Sequence, residues 1–173
     1  GASTTGCGNV AIGQTTLGAG VTTGGFNVAI GSLTMDALTS GKENIALGVN
    51  ALGASTTGCK NVAMGLHALG TADTTGNDNV AIGRTTGYDI TSGACNVAVG
   101  YTALFGATIG VENTAVGFGA MSGVTTGQAD SNVAIGQNAL QGAAATTADM
   151  NVAIGYYTMD AITTGGCNIA IGK

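Results

Sequence analysis

Asn44 to Lys60 reads NIALGVNALGASTTGCK, and this stretch of 17 residues decides the fold because the chain repeats it from end to end. Its opening five residues, Asn-Val-Ala-Ile-Gly or a close variant, recur ten times, beginning at Asn9, Asn27, Asn44, Asn61, Asn79, Asn96, Asn113, Asn132, Asn151 and Asn168. Successive copies start 17 to 19 residues apart. The Gly opens a second pattern, Gly-x-x-(Ala/Thr)-(Leu/Met), followed by a short loop and usually Thr-Thr-Gly or Thr-Ser-Gly. A fixed period of this length marks a solenoid in which each repeat is one coil.

Within each opening stretch, β-branched residues at the second and fourth places argue for a strand. Val10 and Ile12 point to one side of it, and Asn9, Ala11 and Gly13 to the other. The Gly that ends each strand suits a corner needing positive φ. A helix is disfavoured, since another Gly cluster follows within a dozen residues. The expected fold is therefore all-β: a single domain over 1–173, a parallel β-solenoid or β-roll of about ten coils of 17 to 19 residues.

Each recurring residue has an expected task. The Asn residues form a structural ladder, bonding their copies above and below. Leu17, Met35, Leu52, Leu69, Leu104, Met121, Leu140 and Met159 share one register and are expected to fill the core beside a Val/Ile stack. Gly87 interrupts that register, which predicts a local void or a shifted loop. Ala stands two places after every Asn, at Ala11, Ala29, Ala46, Ala63, Ala81, Ala98, Ala115, Ala134, Ala153 and Ala170. An Ala-only column implies close approach of another backbone surface, either inside the coil or between chains. The few aliphatic side chains per coil offset little of the entropy of ordering 17 residues. That imbalance favours the second option, a chain-contact column.

Composition narrows the function classes. Of 173 residues, 32 are Gly and none is Pro or Trp, while charged residues make up 8%. Mean hydropathy is +0.37, too high for disorder driven by charge. A net charge of −5 with four Lys and Arg leaves no basic patch, so no nucleic-acid partner is expected. No apolar run approaches the ~20 residues of a membrane-spanning helix, and no membrane insertion is expected. The start at Gly1 without Met, and a coil cut short at each end, predict an excerpt of a longer array.

The strand Asn-Val-Ala-Ile-Gly, the trailing Gly-x-x-Ala-Leu and the Thr-Thr-Gly turn resemble the β-roll repeats of trimeric autotransporter adhesin heads. They are still more similar to the repeats of phage and bacterial tail-fibre-like proteins, and the resemblance covers essentially all of 1–173. It implies a homotrimer of left-handed parallel β-rolls, located extracellularly, on the cell surface or on a virion, that mediates attachment. The partners it implies are other copies of the chain and a host-surface glycan or protein.

Catalytic chemistry has little to work with. His67 is the lone His and falls in a variable surface register, while Asp36 and Asp160 share a loop position at opposite ends of the array. Asp73, Asp78 and Asp89 lie near turns without calcium-loop spacing. No catalytic residue, metal ligand or cofactor site is assigned, and the chain is read as a non-enzyme. Cys7, Cys59, Cys95 and Cys167 lie one or two residues before the repeat Asn, at least two coils apart, roughly 9–10 Å. That exceeds the ~7 Å reach of a disulfide. They are expected to pack as small apolar groups under the corner, with interchain bridging as the alternative.

The place after the corner Gly varies along an exposed stripe. There, Tyr101, Phe118 and Tyr156 form a candidate surface contact for an extended polymer such as a glycan; packing against neighbouring chains is the plainer reading. The function expected is a structural or adhesive segment of an extracellular or virion fibre. A self-assembling filament or surface-coat subunit is the alternative. An ice-binding solenoid ranks below both. Its motivation is the paired threonines Thr4-Thr5, Thr22-Thr23, Thr56-Thr57, Thr74-Thr75, Thr125-Thr126 and Thr163-Thr164, of which one member per pair can be outward.

Overall fold

The strand signal of each repeat becomes a three-residue strand, and a computed structural model describes these strands within residues 5–18, 22–123, 129–142 and 148–173. They are β1 Val10–Ile12, β2 Val28–Ile30, β3 Ile45–Leu47, β4 Val62–Met64, β5 Val80–Ile82, β6 Val97–Val99, β7 Thr114–Val116, β8 Val133–Ile135, β9 Val152–Ile154 and β10 Ile169–Ile171. All ten form one parallel sheet in chain order, and like residues pair, as in Ala29 with Ala46 and Ala46 with Ala63. The chain is thus an all-β solenoid of about nine turns with no helix among the described residues.

Which side of the strand is inside is settled by Asn. From Asn27 to Asn151 the ladder residues are buried. Asn27 Oδ1 accepts the backbone N–H and the side-chain Nδ2 of Asn44, each at 3.0 Å. Asn44 Nδ2 also donates across the coil to Gly58 O at 2.8 Å, tying the strand wall to the Thr-Thr-Gly wall. An Asn that must reach both the next coil and the opposite wall has to point inward. Alternation then carries Ala inward with it and sends Val and Ile outward.

Two expectations are corrected by this. The core beside the Leu/Met register is built from the Ala column, not from a Val/Ile stack: Ala46, Leu52, Ala63 and Leu69 are fully buried together. The Ala column accordingly faces the coil's own far wall instead of another chain. Ala is required because that wall is close: a Cβ on Gly87 would lie 3.7 Å from Ala81 Cβ. Only in the first and last coils is the column less covered, with Ala11 exposed and Ala170 half-buried.

The expected void at Gly87 is also absent. Ile90, three places on, turns into the core and is 2% exposed, and its Cδ1 would stand 3.1 Å from a Cβ on Gly87. Leu38 occupies the corresponding place three residues after Met35.

Four recurring bends close each coil, and some coils carry a fifth, as at Gly106 in the coil that opens at Asn96 and at Gly123 in the coil that opens at Asn113. One of the four is the corner Gly: Gly48 has φ +131, and a Cβ there would meet Gly65 O at 2.6 Å. The other three are left-handed residues that need not be Gly, such as Asn50 (φ 55), Leu52 (φ 50) and Lys60 (φ 58). Such conformations cost about 1–2 kcal/mol each for a side-chain-bearing residue. Inter-coil hydrogen bonds hold them in place, including Asn50 N to Ser32 O at 2.9 Å and Leu52 N to Ala68 O at 3.0 Å. Threonines beside the Leu/Met register add side-chain rungs, for example Thr34 Oγ1 to Gly48 O at 2.7 Å.

Candidate functional site

The largest chemical feature of the surface is the outward side of the sheet. Each of the ten strands presents its first and third residues outward, and of these Thr114 alone is not apolar. Ile45 is 41% exposed, Ile82 38% and Ile135 39%, in mid-rod and not merely at the ends. At strand spacing the face runs about 45 Å along the rod. Isolated exposed apolar residues are ordinary, but a contiguous apolar face of this length is not. One long border of the face, the residue preceding each Asn, is mixed: Glu43, Lys60, Asp78, Glu112 and Ser131 are polar, while Phe26 and Met150 are apolar and exposed.

The place after the corner Gly lies just past the end of each strand. Val49, Leu66, Tyr101, Phe118 and Tyr156 are all exposed there. Tyr101 and Phe118, one coil apart, have ring centroids 5.2 Å apart with planes inclined by 36°. The Arg84 guanidinium carbon sits 5.4 Å from the centroid of Tyr101. Coil spacing is too short for neighbouring rings to lie side by side as one flat platform, so they lean on each other along the rod. Tyr156 stands apart from this stack and packs edge-on against Tyr157, centroids 4.6 Å apart. The structure thus brings two of the three candidate aromatics together and leaves the third in a separate pair.

A second ladder was missed from the sequence. Tyr88 stacks on Phe105 at 5.3 Å, His67 meets Tyr88 edge-on at 6.1 Å, and His67 Nδ1 is 2.9 Å from Asn50 Nδ2. Its signal was available: Tyr88 and Phe105 each follow the Leu/Met register by one place. His67 is half-buried with an amide and a ring as neighbours. Burial raises the nearby Asp89 carboxyl from its ordinary value, and a backbone hydrogen bond from Gly106 pulls it partly back.

Among the described residues no three His, Cys, Asp or Glu side chains are placed to hold a metal, and no pocket forms. The four Cys are free, and Cys7, Cys95 and Cys167 are exposed, with Cys59 half-buried, so they stand on the corner instead of beneath it. Among the Thr-Thr pairs, Thr22 and Thr74 are buried with Thr23 and Thr75 exposed, Thr56 is half-buried with Thr57 exposed, and Thr163 and Thr164 are both exposed. The outward hydroxyls bond the next coil, as in Thr23 Oγ1 to Thr39 O at 3.2 Å. Thr4, Thr125 and Thr126 lie outside the described residues.

No family model, curated protein or solved structure matches this chain.

Proposed function

We propose that this chain is a structural and adhesive segment of an extracellular or virion fibre, assembled as a homotrimer of left-handed parallel β-rolls. The observation that carries the reading is the exposed Val/Ile side of the sheet, an apolar strip that runs the length of the described rod. Association of copies through this face covers the strip and leaves the loops and the opposite wall for display. The Ala column has no part in that contact, because it lies inside the coil. The aromatic row beside the strip is the candidate attachment contact, to a host-surface glycan or protein.

Two measurements test the proposal. Sedimentation equilibrium should give three times 16.5 kDa for the chain, falling to 16.5 kDa when Val80 and Val97 are both changed to Asp. A monomer at all concentrations would remove the trimer; a mass that grows without limit would favour the filament. Changing Tyr101, Phe118 and Tyr156 together to Ser should weaken attachment of the assembled fibre to its target surface. Unchanged attachment would reduce this segment to a spacer.

A further inference from the structure

The outward face has a weakness as an assembly surface: it is nearly the same at every level. A neighbouring copy shifted along the rod by one coil, about 4.8 Å, would still set Val and Ile against Val and Ile. Apolar burial is non-directional and does not distinguish these registers. The border preceding each Asn distinguishes them only slightly at mid-rod, since exposed charges such as Glu43, Lys60 and Asp78 interact feebly across water. Its exposed apolar members, Phe26 and Met150, stand beside β2 and β9 near the two ends. Yet the face is extensive. A strip about 45 Å long and roughly 15 Å wide offers about 700 Å² per copy, near the ~800 Å² per partner of ordinary specific interfaces when set against one copy and divided between two neighbours in a trimer.

We infer that Thr114 sets the axial register in which copies of this chain associate. Thr114 is the one polar residue among the outward strand positions and lies near mid-rod on β7, between Val97 and Val133 on the flanking strands. It is half-buried in the single chain, and its alternation partner Ala115 is fully buried, which fixes Thr114 on the outward side. Its backbone N–H is satisfied by Asn132 O at 2.8 Å, so the hydroxyl is the polar group that an assembly must accommodate. A hydroxyl both donates and accepts. With copies in register, Thr114 hydroxyls meet at one level and can bond one another in a closed ring. With copies shifted by one coil, each hydroxyl is pressed against Val97 or Val133 of a neighbour and loses water without gaining a partner. A single polar residue in an otherwise apolar seam fixes register in coiled coils by the same asymmetry.

This inference rests on the proposed association through the outward face, and its test separates the two. Thr114→Val is the natural probe, because Val fills the same column on β5, β6, β8 and β9 and the coil should fold unchanged. A photo-crosslinking residue replacing Phe118, beside the face, reports which level of a neighbour it touches. In the parent chain, crosslinks should fall on the coil containing Thr114, with roughly a tenfold or greater excess over the coils above and below. Thr114→Val should keep the sedimentation mass while crosslinks spread towards parity to residues 17 to 19 places away. Thr114→Ser should restore the single register. Crosslinks that stay confined in Thr114→Val at unchanged mass would overturn the role of Thr114 while leaving association intact. A monomeric parent chain would overturn both.

Discussion

The two sides of one strand differ more than their residue types suggest. Inward lie Asn, Ala and Gly, which are small or polar; outward lie Val and Ile, which are large and apolar. In a half-buried sheet the larger apolar residues ordinarily face the core, and here they face out. The inversion follows from the thinness of the coil. An interior only wide enough for Ala against Leu has no room for Val, and its walls are joined by Asn hydrogen bonds instead of by bulk. The difference teaches that hydrogen bonding and a thin core hold each coil, while the larger apolar side chains stay on its surface.

The inward side should show the largest effects. Asn61→Ala removes the acceptor of Asn79 N and Asn79 Nδ2, at 2.9 and 3.1 Å, and the donor to Gly76 O at 2.9 Å. Leaving buried partners unsatisfied costs about 1–3 kcal/mol apiece, so a loss of about 3 kcal/mol or more in denaturant unfolding is expected. A loss under about 1 kcal/mol would mean that the ladder is incidental to stability. Ile90→Ala should cost about 2–4 kcal/mol, since it empties the space that Ile90 fills above Gly87. Replacement without cost would show that the coil collapses around Gly87 on its own.

Outward changes should be smaller in the single chain. Phe118→Ala forfeits the stack on Tyr101 and should lower the stability of the unassociated chain by about 1 kcal/mol or less. The smallest effect is electrostatic. Asp89 binds its proton more tightly when folded, because burial raises its pKa. The folded chain therefore holds more protons than the unfolded one across that interval, and stability falls as pH rises through it. Asp89→Asn should raise the melting temperature at pH 7, with the advantage vanishing below the ordinary carboxylate range, near pH 4. An advantage that persisted at low pH would point to packing instead of charge.

Much of this architecture was legible in the sequence. The spacing of the Asn residues fixed coil length, strand position and the parallel register, and Gly48 and its equivalents marked the corners. Inside and outside were not legible from alternation, which separates two sets of residues without saying which set is buried. The deciding clue was the Asn shared with the Ala side, since a polar ladder buried in every coil needs two walls within hydrogen-bond reach. The left-handed bends at Leu52 and Lys60 were hidden for another reason: neither residue type favours that conformation, and neighbouring coils impose it. The filling of the Gly87 gap by Ile90 depended on a loop residue turning inward, which the pattern of the Leu/Met register alone does not reveal.

The division between the two sides of the strand is tested most directly by how the melting temperature depends on protein concentration in Ala98→Leu and Val97→Ser, adjacent residues on opposite sides of β6. Association that stabilises the fold makes the midpoint rise with concentration. Ala98→Leu overpacks the coil interior and should lower the midpoint by the same amount at every concentration, with the slope preserved. Val97→Ser should leave the dilute midpoint nearly unmoved and flatten the slope. The reverse pattern, with Ala98→Leu abolishing the concentration dependence and leaving the dilute chain unharmed, would contradict the account.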